Sequence, residues 1–417
     1  MLTGGGARAA YQAGVLDALR EILADHGWPA GRNPFPVICG TSAGAVNAAA
    51  LAAGCDDFAA AIERLVSLWS EITPAQIYRV DAVGALRNAS HWLGALTLGW
   101  MIRSRPRSLF DNAPLAELIE RSIAFGRIAE LQRAGHLNAL SLAVSSYTSG
   151  QHVTYFQSRD PVEPWFRTQR LACRTELDAM HVLASAAIPF VFPAVPLAMN
   201  GRREYFGDGS MREVAPLSPA IHLGADRIVV IGSGAMQLGT VHSAHTGSQY
   251  LYPSLAQIAS HALASIFLDG LTSDIERLTR INRTLTLIPG YKRDRSLLRP
   301  IELLVILPSR RLDAMAGPHV RSLPWTTRSM LRLIGATDRR GTGLASYLLF
   351  EPGYTRQLIE LGRADAFARI AEIRRFFRLD SPDHASRRDS ADRSSRVSTR
   401  AIAGAQNCAS ESAGTQR

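Results

Sequence analysis

The stretch Val37-Ile38-Cys39-Gly40-Thr41-Ser42-Ala43-Gly44 places a short apolar run directly before a G-x-S-x-G pattern. The run at 37–39 predicts a buried β-strand, and the small apolar residues from Ala43 to Ala53 predict a helix packed against a sheet. A sharp strand-to-helix turn lifts a serine hydroxyl clear of the sheet, and glycines permit close backbone approach there. The pattern therefore predicts either a nucleophile at Ser42 or a tight turn with a capping serine.

Further apolar runs alternate with helical patterns along the chain. Ala9 to His26 and Asp178 to Ala187 predict helices, whereas Leu137 to Ser146, Arg203 to Phe206 and Ile228 to Ile231 predict strands. This alternation is typical of an α/β fold whose mostly parallel sheet has helices on both faces.

Three segments are predicted along the chain. Residues 1–225 form the α/β unit, residues 226–380 form a mainly helical region, and residues 381–417 form a disordered tail rich in Ser, Arg and Ala. The sequence lacks a run of about 20 uninterrupted apolar residues, which argues against a membrane-spanning helix.

The composition excludes some functional classes. Of the 417 residues, 47% are hydrophobic, enough to fill a core and to exclude a disordered or fibrous protein. The 46 basic and 36 acidic residues give a net charge of +10, but Lys292 is the sole lysine, which indicates arginine coding bias. Residues 290–340 hold 11 basic and 4 acidic residues without aromatic interleaving, so we predict no nucleic-acid partner.

Cysteine usage and the N-terminus bear on compartment and metal binding. The cysteines lie far apart, without the spacing of a metal site or a disulfide framework: Cys39, Cys55, Cys173 and Cys408. The N-terminus lacks the basic and apolar regions of a secretory signal, because glycines begin at Gly4. We therefore expect a cytoplasmic protein without a bound metal or cofactor.

A second pattern is the loop Gly4-Gly5-Gly6-Ala7-Arg8 before the first helix. Consecutive glycines let backbone amides converge on an anion, either a nucleotide phosphate or the oxyanion of acyl transfer. A dinucleotide fingerprint would place an acidic residue at the end of the next strand, where this chain has Cys39 and Gly40. The oxyanion interpretation is therefore favoured. Arg8 could brace the loop, meet an anionic headgroup or simply be solvated.

A third pattern, Gly207-Asp208-Gly209-Ser210, follows the predicted strand that ends at Phe206. An aspartate between glycines usually only makes a turn. Beside Ser42 it gains a second interpretation, because a carboxylate that accepts a hydrogen bond from the serine hydroxyl can act as its base.

Together the three patterns resemble the patatin-like phospholipases over about the first 230 residues. The resemblance rests on GGGARAAYQAGVL at 4–16, GTSAGA at 40–45, and DGS at 208–210 followed by APLSPAIHLGADRIVVI at 215–231. It implies a three-layer α/β/α fold with Ser42 as nucleophile, Asp208 as general base and Gly4 to Arg8 as the source of oxyanion-hole amides. It also implies hydrolysis of fatty-acyl esters of lipids through an acyl-enzyme, without a metal. We further expect a lipid or phospholipid substrate and peripheral contact with a membrane.

Two positions depart from the family pattern. Only Met1, Leu2 and Thr3 precede Gly4, where the family has a full strand. Because the loss of a buried parallel strand would expose its two neighbours, we expect that the given start omits this strand. Ala9 stands where the family often has glycine, and we expect little effect.

Other interpretations stay open at the level of sequence. A Ser-Asp-His triad could recruit one of the histidines after Asp208, which are His222, His242, His245, His261 and His319. A catalytically silent lipid-binding module could dock through residues 290–340. The segment from His91 to Ile102, followed by arginines at 103, 105 and 107, is either an interfacial contact or an ordinary packing helix. The oligomeric state is left open.

Overall fold

The computed structural model describes residues 1–79, 108–199, 201–234, 255–289, 298–333 and 342–380. The strands are β1 (Val37–Thr41), β2 (Ala139–Ser146), β3 (His152–Ser158), β4 (Phe166–Arg167), β5 (Arg170–Arg174), β6 (Val195–Met199), β7 (Arg202–Asp208), β8 (Arg227–Ile231) and β9 (Glu302–Ile306). The α-helices are α1 (Ala10–Asp25), α2 (Ala43–Ala52), α3 (Phe58–Glu71), α4 (Ala113–Ser122), α5 (Gly126–Arg133), α6 (Ala179–Ser185), α7 (Ser218–His222), α8 (Leu255–Leu287), α9 (Leu312–Ala316), α10 (Trp325–Leu333), α11 (Thr342–Leu348), α12 (Pro352–Ala368) and α13 (Ile370–Phe377).

The centre of the sheet is parallel. β1 pairs with β2 and β8 pairs with β9, both in parallel. Leu2 joins the two pairs: its amide donates to the Cys39 carbonyl at 2.8 Å, and it also bridges Ile231 in parallel. Residues 1–3 thus lie between β1 and β8 and are hydrogen-bonded on both sides. The expectation that the given start omits a strand stays a prediction.

Antiparallel pairs extend this parallel centre. β3 runs antiparallel along one edge of β2, then β5 and β4 follow. β7 pairs with β2 through Val144 and Asp208 and carries β6 on its other side. β3 occupies one edge of β2, so β1 and β7 share the other edge. β7 follows β1 along that edge, and Asp208 therefore lies next to the end of β1.

Two hydrophobic cores cover the two faces of the sheet. Neighbouring strand residues point to opposite sides. Ile38 and Leu140 pack with α1, α3 and α12, whereas Cys39 and Ala139 pack with α7 and α8. The helix-covered α/β sheet with a helical C-terminal region is therefore confirmed.

The C-terminal helices pack on the beginning of the chain. Tyr11 on α1 donates to Asp365 on α12 at 3.0 Å, and Arg363 pairs with Glu21 at 2.6 Å. β8 and β9, which fall within the predicted mainly helical region, extend the sheet. The predicted boundary at residue 225 stays a prediction.

Some predictions fall outside the described residues. These are the interfacial segment from His91 to Ile102 with its following arginines, the tail 381–417 and part of the basic segment 290–340. In the part of the chain that the structure describes, every helix is too short or too polar to cross a membrane.

Candidate active site

Ser42 lies in the sharp turn between β1 and α2. Its backbone angles are φ 57° and ψ −130°, a conformation that side-chain-bearing residues rarely adopt. Two residues later, a Cβ on Gly44 would collide with the carbonyl oxygens of Leu2 and Thr3. The turn therefore needs a glycine at position 44. Ser42 itself is buried and only 1% exposed.

The Ser42 hydroxyl donates a hydrogen bond to Asp208. The distance from Oγ to Oδ2 is 2.5 Å, and both residues are buried. The other carboxylate oxygen, Oδ1, accepts from the Ser210 amide at 2.9 Å. Burial raises the pKa of Asp208 to about 6, and the hydrogen bonds from Ser42 and Ser210 oppose this rise. The carboxylate is thus more basic than an exposed aspartate and still ionised at neutral pH.

Ser185 at the end of α6 holds the nucleophile turn in place. Its hydroxyl accepts from the Ser42 amide at 2.9 Å and donates to the Ala143 carbonyl on β2 at 2.6 Å. The sequence predicted the helix that carries Ser185 but did not single out this serine. A search for serines near a helix end would have returned many candidates, so the local sequence offered no specific signal.

A second carboxyl group, Glu213, lies beside the turn. The Thr41 hydroxyl donates to its Oε1 at 2.7 Å. Burial, together with the negative charge of Asp208, raises the pKa of Glu213 to about 7. Glu213 was also missed from the sequence, because it lies in an irregular segment after the Gly207 to Ser210 pattern.

The glycine loop offers unpaired backbone donors. Gly6 has φ 54° and begins a short 3₁₀-helix that ends at Ala9. Within the described residues, no acceptor pairs with the amides of the loop or of the first helical residues after Ser42; these amides belong to Gly4, Gly5, Gly6, Ala7, Ala43 and Gly44. The structure therefore brings the glycine loop and the serine turn together as two sets of free N–H groups.

The Arg8 side chain points away from solvent toward the C-terminal region. It is 7% exposed and donates through Nε and Nη2 to the Ser346 hydroxyl at 2.8 and 2.6 Å. The guanidinium also lies over the ring of Tyr347, 3.9 Å from its centroid. Of the three roles considered for Arg8, the solvated arginine is wrong, because its side chain is buried.

An apolar cavity opens at Ser42. Gly6, Ser42 and Ala43 line it beside the serine turn. The described lining has no charged side chain; its apolar members include Val46, Leu68, Leu115, Ile188, Phe192 and Phe350. An apolar lining of this kind suits an apolar ligand group.

Residues 1–221, more than half of the chain, match the family model described as patatin-like phospholipase. The chain belongs to the patatin-like phospholipase family. Membership supports lipid acyl hydrolase chemistry in general. A comparison with curated proteins gave no significant match.

Two of the histidines considered for a triad, His222 and His319, contact other groups. The His222 ring stacks on Trp165, and its Nδ1 lies 2.8 Å from the Ser218 carbonyl. His319 lies 3.4 Å from the Glu351 carboxylate. In the described ranges, Ser42 and Asp208 have no hydrogen bond to a histidine. His242 and His245 lie outside those ranges.

Proposed function

We propose that the protein is a serine hydrolase of fatty-acyl esters of lipids, with Ser42 as nucleophile and Asp208 as general base. One observation carries the proposal: a buried 2.5 Å hydrogen bond from Ser42 to Asp208 at the end of an apolar cavity. A carboxylate with a raised pKa is a better base than an ordinary aspartate, and it can act directly because the serine proton already points at it.

The reaction proceeds in two steps. Ser42 Oγ attacks the ester carbonyl carbon while its proton passes to Asp208, and the alcohol leaves with that proton. A water molecule then attacks the acyl-enzyme and gives its proton to Asp208. The fatty acid departs, and the proton returns to Ser42. The enzyme thus ends each cycle with its starting protonation.

The oxyanion of each tetrahedral intermediate requires donors near the carbonyl oxygen. The amides from Gly4 to Ala7 and those of Ala43 and Gly44 are free in the described chain. Ala43 also begins α2, whose N-terminus favours negative charge. We assign the oxyanion hole to these two groups of amides because preorganised N–H donors stabilise such charge strongly.

The lining of the cavity favours an apolar acyl chain as the acid part of the substrate. Its described wall consists of apolar side chains such as Val46 and Phe350. A polar headgroup would need hydrogen-bond donors or charges in that wall. A phospholipid fits if its acyl chain enters the cavity and its headgroup stays outside.

Peripheral contact with a membrane would deliver such a substrate. Phe190 is 79% exposed and has φ 65°, and it lies between Ile188 and Phe192, which both line the cavity. A large apolar side chain held outward at the cavity wall is suited to the lipid interface. We propose a cytoplasmic enzyme that contacts a membrane through Phe190.

Fatty-acid release from phosphatidylcholine vesicles tests the function. The Ser42→Ala and Asp208→Asn variants should each lose nearly all activity while they keep the far-UV circular dichroism of the unmodified protein. Substantial activity in either folded variant would contradict the assignment of these two residues. A Phe190→Ser variant should lose activity on vesicles but retain it on a soluble short-chain ester.

The same assay separates the two alternatives. Replacement of His222, His242, His245, His261 and His319 one at a time should leave the activity intact. If one of them proves indispensable, a triad replaces the Ser42–Asp208 pair. Vesicle binding without any fatty-acid release by the unmodified protein would favour a silent lipid-binding module.

A further inference from the structure

Arg8 is a buried cation whose side chain, within the described residues, donates hydrogen bonds only to the C-terminal region. Its guanidinium donates to the Ser346 hydroxyl and, at 3.1 Å, to the Gly343 carbonyl. Among the described residues it forms no ion pair with a carboxylate. The charge of Arg8 does reach Asp313, but that carboxylate is paired with Arg311 at 2.6 Å. A buried charge of this kind is costly unless neighbouring dipoles hold it firmly.

The Ser346 hydroxyl is oriented for this task. It donates its own proton to the Gly343 carbonyl at 2.6 Å, so its lone pairs face the two N–H donors of Arg8. Ser346 is fully buried in α11, and no water is needed to complete its hydrogen bonds.

The same helix also contacts the glycine loop directly. The Gly6 backbone passes so close to the Tyr347 carbonyl that a Cβ on Gly6 would collide with it. Two residues after the end of α11, Phe350 lines the cavity that opens at Ser42. Arg8, Gly6 and the cavity are therefore all in contact with residues 342–350, which lie beyond the segment 1–221 matched by the family.

We propose that residues 342–350 are part of the active site, with Ser346 as a positioning residue for the oxyanion loop and Phe350 as a wall of the acyl-binding cavity. The inference rests on the proposed function. Ser346 acts through Arg8, which it fixes next to the loop amides. The Arg8–Ser346 contact and the close approach of Gly6 to Tyr347 brace the loop, so its amides keep the positions that oxyanion binding requires. Phe350 acts on the acyl chain itself.

A matched pair of variants tests the role of Ser346. Ser346→Ala removes a buried hydroxyl that accepts from Arg8. Thr355→Val removes a buried hydroxyl on α12 that donates only to carbonyls of its own turn, those of Glu351 and Pro352. We expect Ser346→Ala to lower kcat on a soluble ester roughly 10- to 100-fold with little change in KM, and Thr355→Val to leave both unchanged.

A double-mutant cycle with Arg8 sharpens the test. In an Arg8→Gln background, Ser346→Ala should cause little further loss of kcat, because its route of action is already absent. Independent, multiplicative losses would overturn the positioning role, as would a normal kcat in Ser346→Ala alone.

Phe350 supplies a readout that does not depend on Arg8. Phe350→Ala should extend the range of acyl chains hydrolysed, and Phe350→Trp should shift the preference to shorter chains. An unchanged chain-length profile in both variants would overturn the assignment of Phe350. If Ser42→Ala stays active, the proposed function fails; if it is inactive while Ser346→Ala and Phe350→Ala behave like the unmodified enzyme, only this inference fails.

Discussion

The Ser185 hydroxyl holds the Ser42 amide at 2.9 Å, although 143 positions separate the two residues in sequence. Ser185 also donates to the Ala143 carbonyl, so it ties the serine turn to β2. The strained backbone of Ser42 is thus fixed from outside the turn itself. This contact gives the turn a rigid place in the sheet, which precise nucleophilic attack requires.

Replacement of Ser185 by Ala should lower both activity and stability. The change leaves the Ser42 amide and the Ala143 carbonyl without their partner, which costs about 1–3 kcal/mol of unfolding free energy. We expect kcat to fall roughly 10-fold as the turn loosens. Ser158→Ala is the matched control. Ser158 is also buried, but it lies at the end of β3 that pairs with Ala139, away from Ala143, and it donates to the Asp160 carbonyl at 2.8 Å. Equal kcat losses in both variants would contradict a specific role.

The pH dependence of kcat/KM should report the ionisation of Asp208. Burial raises its pKa to about 6, and the base must be deprotonated, so kcat/KM should fall as the pH drops through about 6 and level off above it. Glu213→Gln, which resembles the neutral acid, should keep this acidic limb. If the limb disappears in that variant, Glu213 is the titrating group. A soluble ester avoids any effect of pH on vesicles.

The unusual backbone of Ser42 predicts a difference between two inactive variants. At φ 57° and ψ −130°, glycine is tolerated far better than a residue with a Cβ. The unfolding free energy of Ser42→Gly should therefore exceed that of Ser42→Ala by about 1 kcal/mol. This difference already subtracts the stability that glycine loses through the greater entropy of the unfolded chain. Denaturant unfolding measures the difference. A less stable glycine variant would show that the turn stores no such strain.

The cavity at Ser42 should respond to a bulky substitution in its wall. Val46→Phe narrows the cavity next to Ser42, and we expect hydrolysis of long-chain esters to fall more than that of short-chain esters. Val66→Phe is the control, because Val66 is also partly buried against the core but does not line the cavity. A series of p-nitrophenyl esters gives both profiles, and parallel losses at every chain length would argue against acyl binding there.

Local patterns predicted the parts of this site that local backbone geometry determines. The strand before Gly40 and the small residues after Ser42 fixed the turn, because chain direction and close packing act over a few residues. The pattern around Asp208 was equally local. Asp208 lies beside Ser42 because β1 and β7 pair with the same edge of β2. Only the family resemblance predicted that the two residues meet.

Contacts between distant segments could not be predicted in the same way. Nothing in the local sequence distinguishes three of the residues discussed above, which are Ser185, Glu213 and Ser346. Their importance comes from partners 143, 172 and 338 positions away. The order of the strands could not be predicted from the sequence either. Leu2 joins β1 and β8 through isolated backbone contacts, and such contacts leave no periodic pattern in the sequence.

Covalent labelling with a fluorophosphonate, mapped by peptide mass spectrometry, tests the central claim most directly. The unmodified protein should gain one adduct on the peptide that contains Ser42, Asp208→Asn should label much more slowly, and Ser42→Ala should not label. Rapid labelling of Ser42→Ala, or an adduct on another residue of the unmodified protein, would contradict the assignment of Ser42 as the nucleophile.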